Sequence, residues 1–399
     1  MKIVIATPIL FNSNSPFNHL FKDIIQSLCL KNEITRIVAV DNYEDSSFKM
    51  NIDGNSHINY ILVKRRKTKK TNIFSRYIVD HITSIKMSKI LSKVGGDVLF
   101  EDVSYSSHIL VRAAKRKNMR VVSMLQDVWP DNAVQSQIIK SKSILYNLFE
   151  KKQKKVYMLS DKIICISDDM KEFILSKGVS NNKLEVIYNW GYSDEACHIN
   201  WEENNFVKKY NFDNSFFYAV YAGNIGRMQN IELIIDAAKQ LDGFKKIKFL
   251  IIGEGAMLSA IKEKCQDSSN IILLPFQPSE LATSIYSMAD VNLITLVPGA
   301  IKTALPSKTG VVLSCGKPII MTIESNSKFA SIIKNFRAGA ISNPYDPCDL
   351  ARKIVELYNN KMPRENFACF FALFRRTINL AKYKRIIENS IIEDEDSRN

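Results

Sequence analysis

Two short turns of the sequence bring together residue types that hold anionic groups. "YAGNIGRMQN" (221–230) runs from an apolar stretch through Gly223 and Gly226 to Arg227, just ahead of an amphipathic helical pattern. Backbone N–H groups at such a helix start, with the positive end of the helix dipole, favour an anion, and a guanidinium adds a planar fork of donors for phosphate. The same residues read equally as a glycine turn beside a solvated arginine. "PSKTG" (306–310) is more pointed. Pro306 suits a first helical turn, Ser307 and Thr309 can satisfy free N–H groups, Lys308 brings a mobile cation, and Gly310 follows. Lys308 and Arg227 on two sides of a diphosphate would stabilise charge growing on a leaving group. The plain alternative is a capped helix with an exposed lysine. "IIGEG" (251–255) repeats the strand-to-glycine turn at Gly253 and Glu254, but without a third glycine it reads better as a tight strand–helix turn.

A second set of candidates lies in the first half of the chain. Asp127 follows an apolar run and precedes Trp129-Pro130. A carboxylate there could orient an attacking hydroxyl, or simply satisfy turn N–H groups. Glu101-Asp102 closes another apolar run, and His19 and His108 each follow a strand and loop. A lone histidine is more often a packing or surface residue than a catalytic one.

These residues need elements to position them. "KIVIATPI" (2–9), "RIVAVD" (36–41), "YILVK" (60–64), "DVLFEDV" (97–103), "RVVSMLQD" (120–127) and "KIICIS" (162–167) predict buried strands, separated by helical patterns at 17–30, 74–93 and 138–160. The second half starts the scheme again with "FYAVYAG" (217–223), "IKFLIIGEG" (247–255), "NIILLPF" (270–276), "VNLITL" (291–296), "KPIIMTI" (317–323) and "AGAIS" (338–342). Strands alternating with helices give parallel sheets covered on both faces, so the fold class is α/β, two Rossmann-like domains. Their boundaries are read as 1–190 and 191–363, with "IYNWGYSDEACHIN" (187–200) as the joint; 364–399 supplies a helix returning toward the first domain and a charged tail. Open α/β sheets bind ligands at the carboxyl ends of their strands, where every candidate above falls, so two facing domains would gather them on one cleft.

Composition narrows the classes. No apolar run reaches the roughly 18–20 residues of a membrane span, and the N-terminus lacks a small-residue cleavage site, so neither a spanning helix nor a signal peptide is expected. Seven cysteines without a CxxC spacing read as reduced thiols of a cytoplasmic protein, with no zinc site. The net charge of +14 is uneven: residues 1–200 hold 30 Lys/Arg against 20 Asp/Glu, residues 201–399 hold 25 against 21. A basic first half implies an anionic partner. Within it, Phe74, Tyr77, Ile78, His81, Ile82 and Ile85 follow helical spacing behind the run "VKRRKTKK", and Ile144, Leu145, Leu148 and Phe149 precede four lysines at 151–155. Such segments suit an anionic membrane surface, although an apolar stripe on a single helix more commonly faces a core.

The order of "AGNIG…QN…A" (222–237), "IIGEG", "LPF…SMAD" (274–290) and "PSK…SCGKPII" (306–320) resembles the donor domain of GT-B glycosyltransferases, particularly retaining family 4 enzymes of bacterial O-antigen and capsule assembly. "QDVWPD" (126–131) and "VIYNW" (186–190) resemble the matching first-domain and linker signatures. The resemblance implies transfer of a hexose-type sugar from a UDP- or GDP-sugar to a lipid-linked saccharide acceptor, with retention. It implies no metal or other cofactor, and no nucleic acid partner. It places the diphosphate at Gly223, Asn224, Gly226, Arg227 and 307–310, with Asp127, Arg227 and Lys308 as catalytic residues. The base falls near Gly253, Glu254, Phe276 and Gln277, and the acceptor near His19, Glu101, His108 and Trp129. A polyprenyl-diphosphate acceptor would put the protein peripherally on the inner face of the plasma membrane.

The departures from the family pattern are specific. A pair of glutamates eight positions apart is replaced by Thr303 and Val311, the second removing a ribose anchor for which backbone groups or Glu324 are candidate substitutes. The phosphate motif's Arg and Lys fall on Asn224 and Gln229. A non-catalytic nucleotide- or glycan-binding relative, a nucleotide-sugar epimerase and, given a pI near 9.3, a nucleic-acid-binding protein are the other readings.

Overall fold

In the computed structural model the described residues are 1–10, 17–40, 58–68, 73–191, 194–195, 197–360 and 370–390. The chain forms two compact units: Met1–Asn132 with Ile139–Tyr188 and Asn379–Asn399, and Ala133–Ile138 with Asn189–Ile378.

The first unit is built on a seven-stranded parallel sheet. Its strands are β1 (Lys2–Leu10), β2 (Glu33–Val40), β3 (Ile58–Lys64), β4 (Val98–Asp102), β5 (Arg120–Leu125), β6 (Lys162–Cys165) and β7 (Leu184–Val186), in the order β3-β2-β1-β4-β5-β6-β7. Central strands run apolar for their whole length because both faces are covered: β4 is buried at every position and β5 at all but its first. The strand β7 has no counterpart among the strands expected from the sequence and ends just before the segment read as the joint. Three residues at a sheet edge, "LEV", are too short for a periodicity to show.

The second unit repeats the plan with six parallel strands, β8 (Phe217–Ala222), β9 (Ile247–Ile252), β10 (Ile271–Leu274), β11 (Val291–Thr295), β12 (Ile319–Thr322) and β13 (Gly339–Ser342), ordered β10-β9-β8-β11-β12-β13. The helix Ile231–Gln240 buries Ile231, Leu233, Ile234, Ile235, Ala237 and Ala238 against Phe249, Ile251, Leu350 and Ile354. Each such aliphatic side chain taken out of water contributes about 1.5–3 kcal/mol. The partner helix Pro347–Asn359 begins where Asp346 accepts a hydrogen bond from the Cys348 N–H and Pro347 presets the first turn.

Both sheets therefore reverse direction of growth once, between β1 and β4 and between β8 and β11. That is the switch point at which open α/β sheets leave room for a ligand beyond the carboxyl ends of the strands. The helix Arg376–Asn389 ends in the first unit, where Tyr383 meets Phe100 edge-on at 6.1 Å and Glu388 accepts from Asn32 at 2.9 Å.

Candidate functional site

In the second unit, three connections meet at the switch point. The turn after β8 is stitched to its neighbour beyond the strand ends: the Gly223 N–H donates to Ile252 O at 2.9 Å and the Ile225 N–H to Glu254 O at 2.7 Å. Gly253 has φ +154°, and a Cβ on it would lie 1.9 Å from the Gly223 oxygen, so only glycine fits where these two turns touch. Lys308 arrives from the connection that follows β11. Its Nζ donates to Ala222 O at 3.1 Å and stands 3.6 Å from the centre of the Tyr221 ring. Gly223 borders the same ammonium, a Cβ there falling 3.5 Å from Nζ. Desolvation lowers the Lys308 pKa to about 7, so near neutrality the lysine is poised between its charged and neutral forms. An anion placed here would restore the charge. Arg227 is exposed on the same turn, ahead of a helix that starts only at Ile231.

The two positions where the resemblance implies cations are joined to each other. Asn224 Nδ2 donates to Gln229 Oε1 at 3.1 Å across the turn. Gly226 makes this closure possible, since a Cβ there would come within 2.5 Å of the Asn224 amide.

The Pro306 turn corrects two expectations. Thr309 does not cap the helix Thr309–Ser314: its hydroxyl donates back to Pro306 O at 2.7 Å, while Ser307 is exposed. Gly310 is reserved for packing, because a Cβ would meet the Gly191 nitrogen at 3.1 Å and the Asn189 oxygen at 3.4 Å. Beyond it, the Cys197 N–H donates to Ser314 O at 2.9 Å and His198 Nδ1 lies 3.1 Å from Cys315 O. The segment read as a joint thus clamps the helix that follows Lys308, a role without a sequence signature.

The missing glutamates leave a neutral network. Thr303 is fully buried and donates to Gln135, whose Nε2 donates to Gly299 O at 2.8 Å. Glu324 Oε1 accepts from the Gly299 N–H at 2.6 Å, so this carboxylate fixes the loop after β11. Val311 is buried at 8% exposure and offers no polar atom. Of the residues assigned to the base, Glu254 and Phe276 are exposed, whereas Gln277 is buried, donating to Pro275 O at 2.9 Å and accepting from Lys209 at 3.2 Å.

In the first unit the carboxyl ends of β4 and β5 gather acids. Glu101 is fully buried, accepts from Ser123 Oγ at 2.9 Å and is pushed up to about 8 by burial. It cannot meet an acceptor in solvent, which corrects its assignment. Asp102 is raised well above the carboxylate range by burial and by Asp127, Glu101 and Asp80. Asp80, which the helical pattern of the sequence hides, is 2% exposed and raised to about 6 by burial. Asp127 keeps solvent access, and desolvation by the surrounding chain raises it to about 6 against a hydrogen bond from Asn132.

Trp129 is not an open stacking platform. It is 9% exposed, edge-on to Tyr105 at 4.6 Å and to Phe149 at 5.3 Å. His108 is half-buried, 6.2 Å from the ring of His81, and lowered to about 4 by burial first and by Lys152 and His81 next. His19 lies on the helix Phe17–Cys29, and its side chain falls outside the described residues. Among the described residues no group of three His, Cys, Asp or Glu side chains is placed to hold a metal.

Comparison with known proteins agrees with this architecture. Residues 34–190 match the model described as Glycosyltransferase Family 4, and residues 202–369 match Glycosyl transferases group 1. A probable glycosyltransferase, WbjE of Pseudomonas aeruginosa, is 30% identical over 59% of this chain and 59% of its own length. A putative colanic acid biosynthesis glycosyl transferase, WcaI of Escherichia coli, is 24% identical over 45% of each chain. The chain thus spans about half the length of the curated relatives it matches. Among solved structures, Anabaena HepE in complex with UDP and glucose superposes with a TM-score of 0.68 at 14% identity, covering 98% of this chain and all of that one. Each of the two Rossmann-like units thus carries a match to a glycosyltransferase model, and the chain has the GT-B fold.

Proposed function

We propose that the protein is a retaining, metal-independent glycosyltransferase of bacterial surface polysaccharide assembly. It moves a sugar from a nucleoside diphosphate donor held by the second unit to a lipid-linked saccharide held by the first. The observation that carries this reading is the position of Lys308, a desolvated ammonium at the switch point, beside Gly223 and between two turns that only glycine can close. A diphosphate there would gain a charge-assisted hydrogen bond from Lys308, with Arg227 at the outer side of the same turn. Phe276 offers an exposed aromatic face for a nucleobase beyond β10. The likeness to HepE, solved with UDP and glucose, and to WcaI, named for colanic acid biosynthesis, supports the same substrate class. On the first unit, Asp127 is an exposed carboxylate beyond the end of β5, available to orient an acceptor hydroxyl. Work on a lipid-linked acceptor would be done at the inner membrane face; no helix among the described residues is long and apolar enough to cross a membrane.

A second reading, binding of a nucleotide or glycan without transfer, is favoured by Thr303 and Val311. One is consumed by Gln135 and the other is apolar, at the positions where the resemblance implies carboxylates.

The test is thermal stabilisation by UDP, GDP, CMP and NAD, followed by donor turnover with the stabilising nucleotide's sugars. A nucleotide at about 100 times its dissociation constant adds about 2.7 kcal/mol to stability. Stabilisation with turnover supports the transferase, and stabilisation without turnover for any acceptor supports the binding reading. No response to any nucleotide removes the transferase and nucleotide-binding readings and leaves glycan binding.

A further inference from the structure

The run Lys64-Arg65-Arg66-Lys67 closes β3, the edge strand of the first sheet, far in sequence from the donor turns. These four residues and Lys86 line a concavity of about 540 Å³ with no acidic side chain among its described lining. The local structure explains how they converge. The Arg65 N–H extends the ladder to Val40 O at 2.7 Å, and Lys86, on the helix Ile73–Val94, reaches the Lys64 carbonyl at 3.5 Å. Arg65 is only 8% exposed, and its buried Nε has no hydrogen-bond partner. Asp80 is the carboxylate acting on Arg65, but desolvation still outweighs it and lowers the guanidinium below its ordinary range. A buried donor left unmatched is costly. An anion in the concavity would face five basic side chains and no described acid.

The helix that supplies Lys86 is turned the unusual way. Its inner face buries Asp80, Thr83 and Ser84 along with Met87 and Leu91, while Ile78 (54%), Ile82 (48%) and Ile85 (38%) lie exposed along one stripe. A surface helix of a soluble protein shows the opposite arrangement. The neighbouring helix Ile144–Leu159 repeats the theme. Ile144, Leu148, Lys151, Lys155 and Met158 follow one helical face, and all are exposed. The two helices are joined by Tyr77, edge-on to Phe149 at 5.0 Å and 4.7 Å beneath the Lys152 ammonium. Concentrated positive charge bordered by exposed aliphatic side chains matches an amphiphile with an anionic head.

We propose that the concavity lined by Lys64, Arg65, Arg66, Lys67 and Lys86 receives the phosphate or diphosphate head of a membrane lipid, with Ile78, Ile82 and Ile85 lying against its chains. The identity of that lipid as the sugar's carrier rests on the transferase reading; the lipid site itself does not.

The experiment is vesicle flotation of the full chain with phosphatidylcholine alone, with added phosphatidylglycerol, and with added polyprenyl phosphate. Inorganic pyrophosphate is titrated in parallel by calorimetry. Wild type should float with both anionic vesicles and not with phosphatidylcholine. The K64Q/R66Q/K86Q variant should lose on the order of 100-fold in vesicle affinity, from about 1 kcal/mol per cation near the surface. The I78S/I82S variant should weaken flotation while leaving pyrophosphate binding unchanged. All the substituted side chains are exposed, and melting curves on K64E/R66E provide a second charge variant if folding is affected. Flotation of K64Q/R66Q/K86Q equal to wild type overturns the proposal. So does pyrophosphate binding at the concavity without flotation on either anionic vesicle, which makes it a site for free phosphate. UDP stabilisation is read on the same samples. Its absence alongside charge-dependent flotation sinks the donor reading and leaves the lipid site standing.

Discussion

The Lys308 ammonium lies 3.6 Å from the centre of the Tyr221 ring and reaches past it to the Ala222 carbonyl at 3.1 Å. One residue from the connection after β11 therefore caps the end of β8 across the switch point, using a ring face and a carbonyl in place of water. The arrangement holds the cation but solvates it incompletely, which is why burial lowers its pKa to about 7. A site that underserves its own charge is ready for an anion.

Replacing that charge separates binding from folding. Lys308→Met should melt no lower than wild type, because it removes a desolvated ammonium while keeping the aliphatic stem over Tyr221. Nucleoside diphosphate affinity should fall about 10–100-fold, the worth of a charge-assisted hydrogen bond of about 1.5–3 kcal/mol. Calorimetric titration with UDP or GDP checks both halves; undiminished affinity in the variant removes Lys308 from the donor site.

The same lysine sets a pH dependence. In the free protein it is half-protonated at about pH 7, and a bound diphosphate raises its pKa. Binding then takes up a proton over the interval from about 7 to the higher pKa of the complex. Across that interval affinity falls as pH rises, by at most about tenfold per pH unit. Titrations in buffers of different ionisation heat measure the proton directly, and Lys308→Met should flatten the slope.

Gly253 tests the geometry of the paired turns. With φ +154° and the Gly223 oxygen 1.9 Å from a would-be Cβ, Gly253→Ala must push apart the ends of β8 and β9. We expect a loss of about 3 kcal/mol or more in chemical denaturation. Gly243→Ala, where no atom lies within 4 Å of the added carbon, serves as the comparison and should stay within about 1 kcal/mol.

Glu101 should tie stability to pH in the opposite sense to a surface acid. Its folded pKa of about 8 stands above the ordinary 4.5, so the folded chain keeps a proton that the unfolded chain releases. Its contribution is complete below about 4.5 and is lost as pH rises toward 8. Glu101→Gln keeps an acceptor for Ser123 and removes this titration, so its stability should decline less than wild type over that window. Denaturation curves at several pH values decide it; equal slopes would mean that Glu101 is ionised in the folded protein.

Much of this architecture was legible in the chain because buried parallel strands leave an unbroken signal. "VLFED" and "FYAVYA" must be apolar throughout, since helices cover both their faces. The glycine turns were equally readable: a positive φ at Gly223 and backbone contact at Gly253 both call for glycine. Lys308 stood out because a cation in a Pro-Ser-Lys turn after a strand has few purely structural uses. Such constraints act through neighbours in sequence, so the sequence records them.

What the tertiary structure decided are the matters of orientation. Glu101 and Trp129 have the types of acceptor-binding residues, yet neighbours brought from 22 and 20 positions away, Ser123 and Phe149, enclose them. Asn224 and Gln229 stand where cations were expected and close on each other instead, and Gly310 keeps its space for Gly191. The helix Ile73–Val94 has two chemically distinct faces, but periodicity is blind to which one turns inward. Only its packing, with Asp80 facing Arg65 and Ile78, Ile82 and Ile85 facing solvent, shows that the apolar stripe points outward. A sequence pattern fixes the angle between side chains around an axis, whereas the rotation of that axis is chosen by contacts distant in the chain.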